Sequence, residues 1–352
     1  MPHRNTSIDG LRFVAALTVL FWHVNSFIEQ GCGISVQVIF RGEIANVIFF
    51  MLSGFFVTYK KDVQKIRWYH ELKRKVFRIY PLYACTVVYT AIVIYGIDTL
   101  LEQKSIIFKH LLCIQSWFPY NNASNELNGA AWFLSVLFFY WCITGVLIKK
   151  GRYNRKQFYA LLGVVYMFYI IVYPHMGNWF AGIWVPWPFY CYVIGMILGS
   201  KVMVINEKIQ FVKTCFLENM IMILLIVSIV AANVDLYYPL QYELFMILSA
   251  SLIICLISRT DGVLHKLLGA RIMQWGASLS MPLYLIHLPI VRTLSKTHFL
   301  NSWPLALVGI VFVGSIMLSW LFVAIQLQIK NRQLLENMVS RLSELFERKM
   351  TP

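Results

Sequence analysis

Ten apolar blocks, each of roughly 16 to 22 residues and separated by short polar stretches, constrain this chain more than any other feature, because about 20 apolar residues in a helix cross the hydrocarbon of a bilayer. They fall at 11–29, 44–59, 80–96, 130–148, 158–173, 183–200, 217–234, 241–258, 273–292 and 305–328. The chain has 352 residues, 59% of them hydrophobic and 13% charged, which is too apolar for a water-soluble globule. The expected fold is all-α, a polytopic membrane helical bundle of about ten transmembrane helices.

Lys and Arg collect on the cytoplasmic side of membrane proteins, so their placement tests this map without using hydropathy. With the amino end inside, all of the 31 basic residues except Arg41, Lys104, Lys109, Arg292 and Lys296 fall in cytoplasmic segments. Both termini are then cytoplasmic. The loop after the second block alone holds Lys60, Lys61, Lys65, Arg67, Lys73, Arg74, Lys75 and Arg78. The net charge of +15 reads first as topology and attraction to anionic membrane lipids, then as a hint of an anionic ligand; nucleic acid is not an expected partner.

Residues 1–328 read as one membrane domain without linker or repeat. Residues 329–352 read as a cytoplasmic amphipathic tail, with Leu334, Leu335, Val339, Leu342, Leu345 and Phe346 spaced helically among charges. No small-x-small cleavage site follows residues 11–28, and Glu29-Gln30-Gly31-Cys32 is a poor lipidation site, so the first block is expected to stay. Seven cysteines scattered singly indicate neither a metal site nor a disulfide framework, leaving Cys32 with Cys113 as one open outer pairing. The largest outer segment, 97–129, contains the turn-rich Phe118-Pro119-Tyr120-Asn121-Asn122. The aromatic run Trp179–Pro188 reads either as a membrane-interface belt or as a surface on which sugars stack.

Ionisable groups inside a membrane are costly, which makes each a functional hypothesis. His23 lies within the first block, eleven residues after Arg12. Eleven steps of about 100° return to within about 20° of the start, so the two side chains share a face, roughly 16 Å apart along the axis. A fixed cation at the cytoplasmic mouth and an imidazole deeper in suit an elongated anionic molecule. Taken singly, Arg12 also reads as a snorkelling topology residue and His23 as a packing residue. A neutral imidazole in apolar surroundings makes a good general base.

Ile8-Asp9-Gly10-Leu11-Arg12, followed by ten residues and then His23, resembles the Arg-x10-His signature of the acyltransferase-3 family of membrane acyltransferases. Phe49-Phe50-Met51-Leu52-Ser53-Gly54-Phe55 is similar to that family's second-span motif, and Lys73-Arg74-Lys75-Val76-Phe77-Arg78-Ile79-Tyr80-Pro81 to the basic approach to its third span. Trp132-Phe133-Leu134-Ser135 and Ser278–His287 resemble two further segments, so the ordered series covers residues 8–290.

The resemblance implies transfer of an acyl group, commonly acetyl from acetyl-coenzyme A, to a hydroxyl of a surface glycan or lipid-linked saccharide, in a bacterial inner or plasma membrane. Acyl-coenzyme A would be a donor substrate; no permanently bound cofactor and no metal are implied. His23 would be the catalytic base and Arg12 would support the donor. Arg74, Lys75 and Arg78 are the candidates for the coenzyme phosphates, although positive-inside anchoring explains each equally well. Ser53, Trp132, Ser135, Tyr284 and His287 are candidates to line the substrate cavity, with close packing as the alternative for the two serines and His287.

The chain departs from the family pattern in two places. Lys75 stands where an Arg is usual, which weakens bidentate phosphate binding there. Phe133 and Leu137 stand where many members carry Ser and Glu, so that Glu's role does not carry over. The rival function is a transporter or flippase of a lipid-linked glycan, but repeated halves and matching Gly/Pro-broken spans are not evident.

Overall fold

The computed structural model describes residues 6–59, 67–97, 100–117, 126–149, 163–164, 166–167, 171, 189–209, 212–233, 238–258, 261–296 and 303–350, with side chains as far as Asn331 in the last helix. Within these residues the chain is all-α. In order, the helices are α1 (Thr6–His23), α2 (Asn25–Cys32), α3 (Gly42–Thr58), α4 (Trp68–Tyr95), α5 (Lys104–Leu111), α6 (Trp132–Lys149), α7 (Phe189–Ile209), α8 (Thr214–Asn233), α9 (Tyr238–Ser258), α10 (Val263–Leu268), α11 (Arg271–Ser295) and α12 (Pro304–Met350). Short 3-10 turns at Val36–Val38 and Gly129–Ala131 precede α3 and α6.

Among the described residues, five helices are long and apolar enough to cross a membrane: α4, α7, α8, α9 and α12. The pair α1 and α2, bent by 57°, makes a sixth if counted as one span. Gly42–Thr58 and Gly129–Gly145 are shorter apolar helices. The apolar block at 273–292 became α11, whose basic and polar first turns make it less apolar than a lipid-facing span. It is sheathed by α1, α4 and α12 instead. The block at 158–173 falls almost wholly outside the described residues. So do Phe118–Asn122 and Trp179–Pro188, as do the tail side chains beyond Asn331.

Two boundaries moved for physical reasons. The expected span at 80–96 begins at Trp68, so the basic segment 73–78 is itself helical and Pro81 lies inside α4. The break after His23 is an elbow organised by Asn25, which is buried. Its Oδ1 accepts from the backbone N–H groups of Val36 (2.7 Å) and Gln37 (3.2 Å), while its Nδ2 donates to Glu29 (3.3 Å). Such a side chain replaces the partners lost where a helix ends in an apolar setting.

The tightest packing joins α3 to α7, where a Cβ at Gly54 would collide with the carbonyl of Tyr192 and one at Gly195 with that of Met51. Gly195 and Gly199 form a G-x3-G stripe that lets the backbones meet. The hydroxyl of Thr58 donates to Met196 O at 2.6 Å across this contact. On the other side of the bundle α1 lies against α11 and α10. Gly10 meets the backbone of Leu268, Phe13 the backbone of Gly276, and His23 the ring of His287, so α1 and α11 run parallel. All seven cysteines are free, with Cys32 exposed and Cys113 buried, which removes the pairing left open by the sequence.

Candidate functional site

The two ends of α1 are used differently against α11. At the end that begins with Thr6, a cavity of about 240 Å³ opens between α1, α4, α11 and α12, lined by Arg12, Arg78, Ser278, Ser280, Pro282 and Gln326 among others. Two guanidinium-bearing side chains from different helices therefore face one space. Arg12 is steadied by Asp9 one turn earlier, with Nη1 3.8 Å from Oδ1. Gln326 of α12 donates to the Arg78 carbonyl at 2.9 Å, which fastens α12 to α4 along the cavity wall.

Arg74 and Lys75 lie elsewhere. Arg74 pairs with Glu71 at 2.7 Å, and its side chain is 73% exposed. Lys75 holds its ammonium over the rings of Trp141 and Trp68, 4.6 and 5.4 Å from their centroids. Of the three basic residues expected to meet phosphates, Arg78 alone lines the cavity with Arg12.

At the far end of the pair, two imidazoles meet. His23 Nδ1 lies 2.8 Å from the carbonyl of Val19, and His287 Nδ1 lies 3.1 Å from that of Leu283. A carbonyl only accepts, so in each uncharged ring the hydrogen is assigned to Nδ1. His287 Nε2, 3.2 Å from His23 Nδ1, is then an acceptor for the same hydrogen. Both contacts fall on one edge of the His23 ring, leaving its Nε2 lone pair available. His287 is fully buried, whereas His23 is partly exposed.

Of the remaining expected residues, Tyr284 alone is seen against His287. Tyr284 donates to the carbonyl of Ala130 at 2.7 Å and stands against His287, ring centroids 6.0 Å apart. Ser135 is buried. Its hydroxyl accepts from the N–H of Ser116 (3.2 Å), and its carbonyl accepts from the Trp117 indole (3.0 Å), so it secures the loop before α6. Trp132 packs against Phe50, and Ser53 is partly buried beside Gly54. Phe133 fills its position with aromatic contacts to Phe50 (4.4 Å), Tyr284 (5.5 Å) and Phe49 (5.6 Å), and Leu137 is buried. Phe133 and Leu137 make this part of the bundle an apolar core.

Asn128 is a residue that sequence reasoning missed. Pro289 has no N–H, so the carbonyl of Leu285 four residues earlier loses its helical partner. Asn128, fully buried, donates to that carbonyl at 2.8 Å and to Thr86 at 3.1 Å. A proline in the middle of an apolar block was the available signal, since such a carbonyl needs a donor from elsewhere. Asn128 and Tyr284 together pin residues 128–131 onto α11.

The geometry describes an all-α protein with membrane-length helices, a cavity flanked by two arginines, and a pair of linked imidazoles along the same two helices. A family model described as an acyltransferase domain, Acyl_transf_3, matches residues 5–324, and the chain belongs to this acyltransferase family. No curated protein and no solved structure matches it.

Proposed function

We propose that this protein transfers an acyl group, acetyl in the first instance, from cytoplasmic acyl-coenzyme A to a hydroxyl of an extracytoplasmic carbohydrate. The observation that carries this reading is the alignment along α1 and α11: Arg12 and Arg78 share one cavity, and His23 stands further along the same helix against His287.

In this reading the chain crosses a cell membrane ten times with both ends in the cytoplasm, α3 and α6 serving as short spans and 158–173 as the fifth. Residues 1–328 are the catalytic domain and 329–352 a cytoplasmic tail. The Arg12 end then faces the cytoplasm and the His23 end the exterior. Arg78, with Arg12, attracts the phosphates of the coenzyme, and the thin pantetheine arm passes along α1 toward His23.

The acceptor hydroxyl gives its proton to His23 Nε2 as its oxygen attacks the thioester carbonyl. The carbon–sulfur bond breaks, and the leaving thiolate takes the proton back from the imidazolium, giving an ester and free coenzyme A. His287 assists by accepting from His23 Nδ1–H as charge develops on the ring, which holds the basic nitrogen toward the acceptor. A comparison by mass spectrometry of surface glycans from cells with and without the protein tests this. Loss of a 42 Da acetyl increment on removal of the protein is expected, and identical glycans would refute it.

A further inference from the structure

Arg292 is one of only five basic residues placed outside the cytoplasmic segments by the charge pattern. Two of the others have local uses. Lys296 donates to the carbonyls of Val93 (2.6 Å) and Ile94 (3.1 Å), and Arg41 pairs with Glu43 at 3.6 Å. Arg292 lies five residues beyond His287, within electrostatic reach of His23, Glu126 and Tyr95. Its Nη2 rests against Gly129, where a Cβ would come within 3.2 Å of it.

Glu126 comes from the segment pinned to α11. It accepts a hydrogen bond from the Tyr95 hydroxyl, and the next residue, Leu127, is held at a φ of 37°. No Asp or Glu occurs between Glu126 and Glu207, so Glu126 is the acidic residue nearest in sequence to α6, the helix in which Leu137 stands where the resemblance leads one to expect a carboxylate. His23, Glu126 and Arg292 are each partly open, while His287, Leu127 and Asn128 are fully buried. Arg292 is thus the charged group that reaches both His23 and Glu126, and it links the open side of His23 to one guanidinium and, through it, to one carboxylate.

We infer that Glu126 and Arg292 are the acceptor-positioning pair: the carboxylate accepts from one hydroxyl, the guanidinium donates to a neighbouring oxygen, and a further hydroxyl is presented to His23. The opposite charges balance, which favours a neutral polyhydroxylated saccharide over a uronate or a phosphorylated sugar. Tyr95 orients the Glu126 carboxylate. This inference rests on the acyl-transfer reading above.

The test is steady-state transfer of radiolabelled acetyl from acetyl-coenzyme A to a panel of methyl glycosides, neutral and uronic, by full-length protein in proteoliposomes. Glu126→Gln and Arg292→Gln should each raise the KM for neutral glycosides by about ten-fold or more, the effect of losing one charge-assisted hydrogen bond. The KM for acetyl-coenzyme A and the melting temperature should be unchanged. Equal KM increases for donor and glycoside would overturn the assignment, as would a preference of the wild type for uronic glycosides. So would a Tyr95→Phe variant that reproduces the whole Glu126→Gln loss, because Glu126 would then serve only as an anchor. Wild-type transfer that requires His23 but ignores both variants removes this pair alone. Absence of any transfer by the wild type removes the acyl-transfer reading and this one together.

Discussion

His287 Nε2 lies 3.2 Å from His23 Nδ1, and each ring is also held by a backbone carbonyl one turn earlier on its own helix. The arrangement fixes which nitrogen of His23 carries the hydrogen and which keeps its lone pair. Its consequence is a graded mutational response. His287→Leu should lower kcat by about ten- to a hundred-fold with the donor KM unchanged, and His287→Gln, whose amide oxygen can accept the same hydrogen bond, should recover part of the loss. Equal activity of the Leu and Gln variants would remove the hydrogen bond from the account.

Arg12 and Arg78 line one cavity from different helices. Arg78→Ala and Arg12→Ala should each raise the KM for acyl-coenzyme A, and the double variant should depart from additivity because the two act on the same ligand. Arg74→Ala, which removes only an exposed pair with Glu71, should leave donor KM within about two-fold, as most surface ion pairs contribute little. The measurement is initial rate against donor concentration at saturating acceptor.

The cysteines give a reading of topology and burial in one experiment. Cys32 and Cys215 are exposed at the ends of α2 and α8, Cys85 is exposed within the membrane-length α4, and Cys113 is buried in the wall of an apolar cavity between α4 and α6. Burial pushes the Cys113 thiol up from 9.0 to about 12. The unfolded chain gives up this proton above about pH 9 while the folded protein keeps it, so this group costs stability as pH rises through that range. A membrane-impermeant maleimide applied to intact cells at pH 8 should label Cys32 alone. After permeabilisation it should label Cys215 as well, and it should reach Cys113 only on unfolding.

The contact of α3 with α7 depends on the absence of side chains at Gly54 and Gly195. Gly195→Leu should destabilise the protein by about 1–3 kcal/mol or more, the range for overpacked interiors. Thermal unfolding in detergent reports this, and an unchanged melting temperature would contradict the packing described.

Much of this architecture was legible because lipid imposes a simple rule on the chain. The apolar blocks at 44–59, 217–234 and 241–258 coincide with helices to within a few residues, since each must satisfy its own backbone in hydrocarbon. The shared face of Arg12 and His23 was equally legible, being a property of one helix. What escaped was set by partners distant in sequence. The meeting of His23 with His287 needs α1 and α11 to lie parallel, and the donation from Asn128 to Leu285 needs the loop before α6 to fold back onto α11. The separation of Arg78 from Arg74 and Lys75 depends on Glu71, Trp68 and Trp141 drawing the latter two away. The early start of α4 was hidden by its charges, which a hydropathy window excludes.

The central claim concerns the free nitrogen of His23. Purified wild-type protein and His23→Ala, matched for melting temperature in the same lipid, should be compared for transfer of radiolabelled acetyl from acetyl-coenzyme A to a saccharide hydroxyl. The account predicts a loss of about 10²- to 10⁴-fold in kcat with donor binding retained. A well-folded His23→Ala protein that acylates at the wild-type rate would contradict it.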